Sequence, residues 1–356
     1  MLTYIDLTIV GVFLVINLAL GIWVGRGIKT IKEYAIGNRN FSTATLSATI
    51  IATWISGSYF TVCLSQAYSD GVWFIPAAIG NIFSTLMVGY IFAPRMKEFL
   101  GSLSVAETMG NLFGKNVRIV SAISAIAQAV AMTALQIKVF TSVFTYFFGF
   151  SSIYATCISS FVVILYSTWG GIKAVTFTDK IQFLTFGIFI PLFFFFVIKA
   201  FGDFDAISAA MDTNPLLDYR RLVDWNDPKF IPSFITFLWF TIPGLNSTTF
   251  QRILMANSTT QVRRSFTIAT IGSGIIALLI CAIGIIILSV NPNLGSTNIV
   301  MYVLDHYSFD GLRGITIIGI VAMVMSTADS WINVGSVVFA HDLCKPLGII
   351  QFPILN

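Results

Sequence analysis

Two stretches of this chain put oxygen atoms where apolar surroundings make them costly. One is Ala52-Thr53-Trp54-Ile55-Ser56-Gly57-Ser58, at the centre of an apolar run from about Phe41 to Tyr68. The other is Ser326-Thr327-Ala328-Asp329-Ser330, inside the run from about Ile315 to Ala340. Adjacent hydroxyls at Ser326 and Thr327, with the carbonyl of Met323 one turn earlier, supply half of an oxygen cage. A backbone broken near Ala52 and Ile55 supplies the other half, because residues that leave a helix free its carbonyls. Small hard cations take oxygen ligands of this kind. The competing reading is that Ser and Thr bond back to carbonyls of their own helix. The residues alone leave the two readings even. Asp329 has its own alternative, as a solvated carboxylate near a helix end.

A second interrupted segment gives the first a partner. The apolar run from about Phe230 to Phe250 is broken by Thr241-Ile242-Pro243-Gly244-Leu245-Asn246-Ser247. Pro243 removes a donor and Gly244 relaxes the backbone. Singly, each break reads as close helix packing with small residues. As a pair, in corresponding positions of two halves, they point to a transporter's midplane binding site. Gln136 and Lys138 lie in a further apolar run. Gln136 either faces a cavity or bonds helix to helix, and Lys138 either snorkels or pairs with a carboxylate. His306 and His341 lack a second ligand at metal-binding spacing, and the four cysteines show no metal or disulfide pattern.

The elements that must position these groups are transmembrane helices. Of 356 residues, 56% are hydrophobic and 10% charged, and the mean hydropathy is +0.86. That balance excludes a soluble domain and implies an all-α polytopic membrane protein. About nine runs are long enough to cross a bilayer, near Thr3–Val24, Phe41–Tyr68, Val72–Phe92, Val120–Tyr146, Ser151–Trp169, Ile181–Ala200, Phe230–Phe250, Phe266–Val290 and Ile315–Ala340. Most of the 20 Lys and Arg residues then fall on one side, at 26–39, 95–118, 173–180, 252–264 and 345. This places the N-terminus outside and the C-terminus in the cytoplasm. The two breaks lie five crossings apart, so their segments run in opposite directions, as in an inverted repeat. The acidic loop at 201–229 reads as solvated, with short surface helices, rather than as a cation-concentrating vestibule. The apolar piece Ile299–Leu304 is suited to dip back as an outer gate. No His-Glu-x-x-His, Walker loop, paired-cysteine motif or nucleophile elbow is present, so the reading is not an enzyme.

Four stretches together resemble the sodium:solute symporters. They are Glu33–Phe41 leading into Ala52–Gly57, Trp169-Gly170-Gly171 with Thr178-Asp179 and Gln182, Gly244-Leu245-Asn246 with Gln251-Arg252, and Met325–Ser330. The resemblance implies a leucine-transporter fold: a leading helix at 3–24, a first five-helix unit at about 41–200, and an incomplete inverted second unit at about 230–340. It implies one transmembrane domain over 1–346, a short tail at 347–356, and import of a small organic solute across the cytoplasmic membrane by alternating access. It implies a sodium ion held by carbonyls of Ala52, Ile55 and Met323 and hydroxyls of Ser326 and Thr327. Asp179 would lie on the sodium exit route, and Ser56, Gly57, Gln136 and Asn246 near the solute.

The partners expected are that solute and the lipid bilayer, with no nucleic acid. Trp54 stands where the family's proline transporters carry an aspartate, which weakens proline as the solute. The tail is too short to cross, so the resemblance also implies a separately encoded C-terminal piece or a shortened chain. The alternatives are a transporter-like sensor and an inactive or split fragment.

Overall fold

Thr3 opens the first helix, α1 (Tyr4–Val24): its hydroxyl accepts from Asp6 N while the Asp6 carboxylate takes up Thr3 N, a reciprocal cap. The computed structural model describes residues 2–167, 171–202, 204–294, 299–307 and 309–349, and among these every regular element is helical. Trp169 and Gly170 of the glycine-pair stretch, Asp203 of the acidic loop and residues 350–356 lie outside the described residues.

A short α2 (Ile31–Ile36) leads to α3 (Thr43–Trp54), which Ser42 caps, and to α4 (Gly57–Asp70), which Ser56 caps. Gly71 then turns the chain at φ 60°, and a Cβ there would lie 2.0 Å from the carbonyl oxygen of Leu216. Only glycine fits that turn, which α5 (Ile75–Met87) follows, running through a π turn at Val88–Phe92 into α6 (Ala93–Arg95). Next come the short α7 (Val105–Phe113), the long α8 (Lys115–Phe148), α9 (Ser152–Ser167) and α10 (Gly171–Phe201).

The acidic loop carries α11 (Phe204–Thr213) and a 3-10 turn at Tyr219–Val223, and Leu217 anchors it to the protein, fully buried. A second broken pair, α12 (Phe230–Thr241) and α13 (Ser247–Leu254), precedes α14 (Thr259–Val290). After α15 (Ile299–Tyr307), whose Val303 and Leu304 are buried, α16 (Leu312–Val337) runs into a π-helical extension at Val338–Cys344.

Among the described residues, six helical stretches are long and apolar enough to cross a membrane: Tyr4–Val24, Gly57–Arg95, Lys115–Phe148, Gly171–Phe201, Thr259–Val290 and Leu312–Cys344. The sequence predicts about nine. The difference arises where α3 and α12 stop at the breaks, at 12 residues each, where the turn at Gly71 lies inside one stretch, and at the shorter α9.

α16 is buried along most of its length, packed between α10, α8 and α1, while α14 lies against α3, α4 and α5. Phe60, Phe140, Phe186, Phe189 and Phe193 are fully buried. Lipid tails are as apolar as these rings, so their contribution comes from close packing rather than escape from water. The result is a packed frame around two interrupted helices.

Candidate functional site

At the first break Ile55 leaves helical geometry (φ −81°, ψ 79°) and Ser56 is extended. Ile55 N still bonds to Ile51 O. Ser56 N, which a continuous helix would direct at Ala52 O, bonds instead to Trp54 O at 3.0 Å. Tyr59 N likewise bonds to the Ser56 hydroxyl at 2.9 Å rather than to Ile55 O. The break therefore releases the carbonyls of Ala52 and Ile55 from the ladder, in a buried setting where a freed carbonyl needs a new partner.

α16 supplies one. Ser326 Oγ donates to Ala52 O at 2.8 Å and also to Met323 O at 3.1 Å, and Thr327 Oγ1 donates to Thr53 O at 3.3 Å. The alternatives posed by the sequence thus both occur at Ser326, which bonds back and across. Thr327 reaches across. All of these residues are buried. Ser326 thus joins the carbonyls of Ala52 and Met323, and Thr327 joins that of Thr53, in a cluster of oxygen atoms; Ile55 lies on the same break. A set of carbonyls and hydroxyls without nitrogen or sulfur suits a hard monovalent cation.

The second break repeats the device. Ile242 is extended, its carbonyl accepts from Ser84 Oγ of α5 at 3.1 Å, and Asn246 caps α13 by accepting from Thr249 N at 2.9 Å. Ser56 and Asn246 are thus equivalent caps of two half-helices. Between the breaks lies a cavity of about 320 Å³ whose lining includes Trp54, Ser56, Asn246, Thr327 and Trp331. Thr327 borders both the oxygen cluster and this cavity.

Gly57 and Gln136 are not brought into its lining. At Gly57 a Cβ would lie 2.5 Å from Val324 Cγ2. Gln136 is fully buried, and its Nε2 donates to Ser58 Oγ at 2.9 Å, a helix-to-helix bond.

Sequence reading names Asp179 but misses the buried cation beside it. Arg252, counted with the cytoplasmic loop charges, is buried in α13 with 2% of its side chain exposed. It donates to Thr53 Oγ1 at 3.0 Å, to Ser330 Oγ at 2.6 Å and to Gln251 Oε1 at 2.8 Å. It faces Asp179 Oδ2 at 3.6 Å, and Thr49 hydrogen-bonds to the same oxygen. Asp329 is buried rather than solvated, accepting from Ser167 Oγ at 2.5 Å. A column of polar groups thus runs from Thr327 through Thr53 and Ser330 to Asp179. Beside Asp179, a further signal in the sequence is the pair of hydroxyls at Thr49 and Thr53, one helical turn apart on α3. Lys138 is exposed and makes no ion pair among the described residues.

Known proteins resemble this chain to different degrees. The sodium:solute symporter family model matches residues 34–348. The human sodium-coupled monocarboxylate transporter 1 is 27% identical, over 96% of this chain and 59% of its own length. The sodium/glucose cotransporter of Vibrio parahaemolyticus is 22% identical, over 97% of this chain and 69% of its own. The chain thus spans about three-fifths of the human relative's length. A Na+-coupled sialic acid symporter, solved in a substrate-bound outward-open state, superposes with a TM-score of 0.82 at 20% identity, over 96% of this chain and 75% of that one. This likeness establishes a shared fold.

Proposed function

From a chain that belongs to the sodium:solute symporter family, we propose a symporter that couples inward movement of sodium to import of a small organic solute. The observation that carries this reading is Ser326 Oγ set between the carbonyls of Ala52 and Met323. Sodium is held there by the carbonyls of Ala52, Ile55 and Met323 and the hydroxyls of Ser326 and Thr327. The hydroxyls, which now donate to neighbouring carbonyls, turn their lone pairs to the ion. Bound sodium ties the first break to α16.

Thr327 lies on the shared wall between ion and solute, so ordering one lowers the entropic cost of binding the other. The solute rests in the cavity between the breaks, against Ser56 and Asn246, with Trp54 and Trp331 as apolar walls. Sodium leaves past Thr53, Thr49 and Asp179. One charge falling through 100 mV releases roughly 2.3 kcal/mol, enough for a solute gradient of about 50-fold.

The architecture that goes with this reading has nine crossings: a leading helix, a first unit from α3 to α10, and an inverted second unit starting at α12. The N-terminus lies outside and the C-terminus in the cytoplasm, since the basic residues at 26–39, 95–118, 173–180 and 263–264 then share the inner face. Uptake into proteoliposomes tests the reading. Solute accumulation driven by an inward sodium gradient is expected, and equal uptake with sodium replaced by N-methylglucamine overturns it.

A further inference from the structure

Two arginines at the start of α14 carry guanidinium groups with no anionic partner. Among the described residues, the Arg263 and Arg264 side chains are exposed and make no hydrogen bond or ion pair. No carboxylate lies within 259–268, and within 88–98 Glu98 stands against Arg95 and Lys97. Arg263 is nevertheless held in place. Its guanidinium carbon lies 5.2 Å from the centre of the Tyr90 ring, a cation–π contact. The Tyr90 hydroxyl in turn bonds to Thr267 Oγ1 at 3.0 Å.

The π turn at Val88–Phe92 makes this possible. It seats Gly89 against α14, where a Cβ would lie 2.9 Å from Phe266 Cβ, and so brings the Tyr90 ring to the first turns of that helix. Single π turns of this kind are frequent at functional positions. Arg95, at the end of α6, donates from Nη1 to Ile91 O of the same turn at 2.5 Å, and α6 packs against α14. A third guanidinium thus sits at the same end of the two helices.

Next to the charges the surface turns apolar. Arg264, Ile268, Ile271 and Ile275 fall at i, i+4, i+7 and i+11, on one face of α14. The three isoleucines each have half or more of their surface exposed. From Arg264 to Ile275 the helix rises roughly 16 Å, close to the depth of one leaflet of a roughly 30 Å hydrocarbon core. On the neighbouring α5, Phe83 and Ile79 are exposed one turn apart and supply a second apolar strip. A cationic head above two apolar strips of leaflet depth complements a phospholipid in both charge and length.

We propose that this face of α5 and α14 is a binding site for an anionic phospholipid, its phosphate at Arg263 and Arg264 with Arg95 at the edge, and its acyl chains along the apolar strips. Guanidinium donors match phosphate oxygens in pairs, and Tyr90 holds Arg263 ready for that contact. A zwitterionic lipid fits the strips equally well but brings its own cation near the arginines. The site draws on no step of the transport reading, and it serves whichever leaflet meets this end of the helices.

The test is lipid binding to the purified full chain in detergent, read by native mass spectrometry and by Tm. The probes are phosphatidylglycerol and phosphatidylcholine with the same acyl chains, and inorganic phosphate alone. Phosphatidylglycerol is expected to bind about tenfold or more tighter than phosphatidylcholine and to raise Tm. Phosphate alone is expected to leave Tm unchanged. Arg263→Gln and Arg264→Gln are each expected to weaken phosphatidylglycerol about fivefold, the scale of one basic residue at an anionic surface. Tyr90→Leu is expected to weaken it with no change in net charge. Lys32 is an exposed basic residue elsewhere, and Lys32→Gln, which removes the same charge, is expected to leave binding as it is. All four positions are exposed, and Tm without lipid reads whether each variant folds.

Equal binding of the two lipids overturns the proposal. So does stabilisation by inorganic phosphate that matches phosphatidylglycerol, which assigns a site for free anions. An effect of Lys32→Gln as large as that of Arg263→Gln also overturns it, because general charge attraction then accounts for the binding.

Discussion

Arg252 Nη2 stands 3.6 Å from Asp179 Oδ2, and neither side chain has more than 2% of its surface exposed. The pair is incompletely satisfied: Asp179 Oδ1 and Arg252 Nε lack hydrogen-bond partners among the described residues. Such a pair contributes little net stability over apolar replacements, but breaking it by removing one partner costs roughly 3–5 kcal/mol. Asp179→Leu and Arg252→Met singly are therefore expected to lower the melting temperature of the detergent-solubilised protein, and the double variant to recover most of it. Uptake behaves differently if Asp179 serves sodium release. The double variant regains stability yet stays deficient in sodium-driven transport, and full recovery of uptake would assign the pair to structure alone.

Ser326 joins two elements far apart in sequence through Ala52 O at 2.8 Å. Ser326→Ala removes that link and one proposed sodium ligand. The sodium concentration for half-maximal uptake is expected to rise at least about tenfold, equivalent to roughly 1.4 kcal/mol. Thr327→Ser, which keeps the hydroxyl, is expected to change it far less than Thr327→Ala. A sodium response in Ser326→Ala within twofold of the parent protein would remove the oxygen cluster from the mechanism.

How far the site was legible follows from which forces act locally. The two breaks are readable because the residues that interrupt a helix, around Ser56-Gly57 and Pro243-Gly244, act over a short range and are recorded in the neighbouring sequence. The joining of Ser326 to Ala52 is suggested by composition, but only folding decides whether a helical hydroxyl bonds back or across. Arg252 was misplaced because a charge just beyond an apolar run looks like a loop residue. Its burial depends on Asp179, Thr53 and Ser330, which three other helices deliver. Gln136 was ambiguous for a similar reason: whether its amide meets a solute or Ser58 depends on how α8 is rotated against α4. The fold itself was more accessible, since apolar run lengths locate helices directly. Its count blurred at the breaks and at Gly71.

Gly57 separates two readings of its position. As a packing glycine it needs space against Val324, where a Cβ would approach Cγ2 to 2.5 Å. Gly57→Ala is then expected to destabilise by roughly 1–3 kcal/mol through overpacking, with recovery when Val324→Ala is added. Recovery of stability and uptake together identifies helix packing. A loss of solute affinity that persists in the double variant would return Gly57 to the solute site.

The π-helical extension that follows α16 is held by a second charged cluster. Arg118 of α8 reaches Asp342 Oδ1 with Nη2 at 2.7 Å and with Nε at 2.9 Å, and Ser104 Oγ donates to Asp342 Oδ2 at 2.5 Å. Beside it, His341 Nε2 lies 3.2 Å from Glu107 Oε1, and Leu103 N donates to Glu107 Oε2 at 2.5 Å. Burial raises the Glu107 carboxyl, but the His341 and Leu103 contacts with the nearby Arg118 charge outweigh it and hold the pKa below its ordinary 4.5. A carboxyl with a depressed folded pKa gives stability that is fully present above the unfolded value and is lost as pH falls through the folded one. The melting temperature is therefore expected to drop as pH falls below about 4.5, and Glu107→Gln to flatten that limb while costing stability at neutral pH. An acid limb unchanged by Glu107→Gln would show that this contact does not fasten α7 to α16.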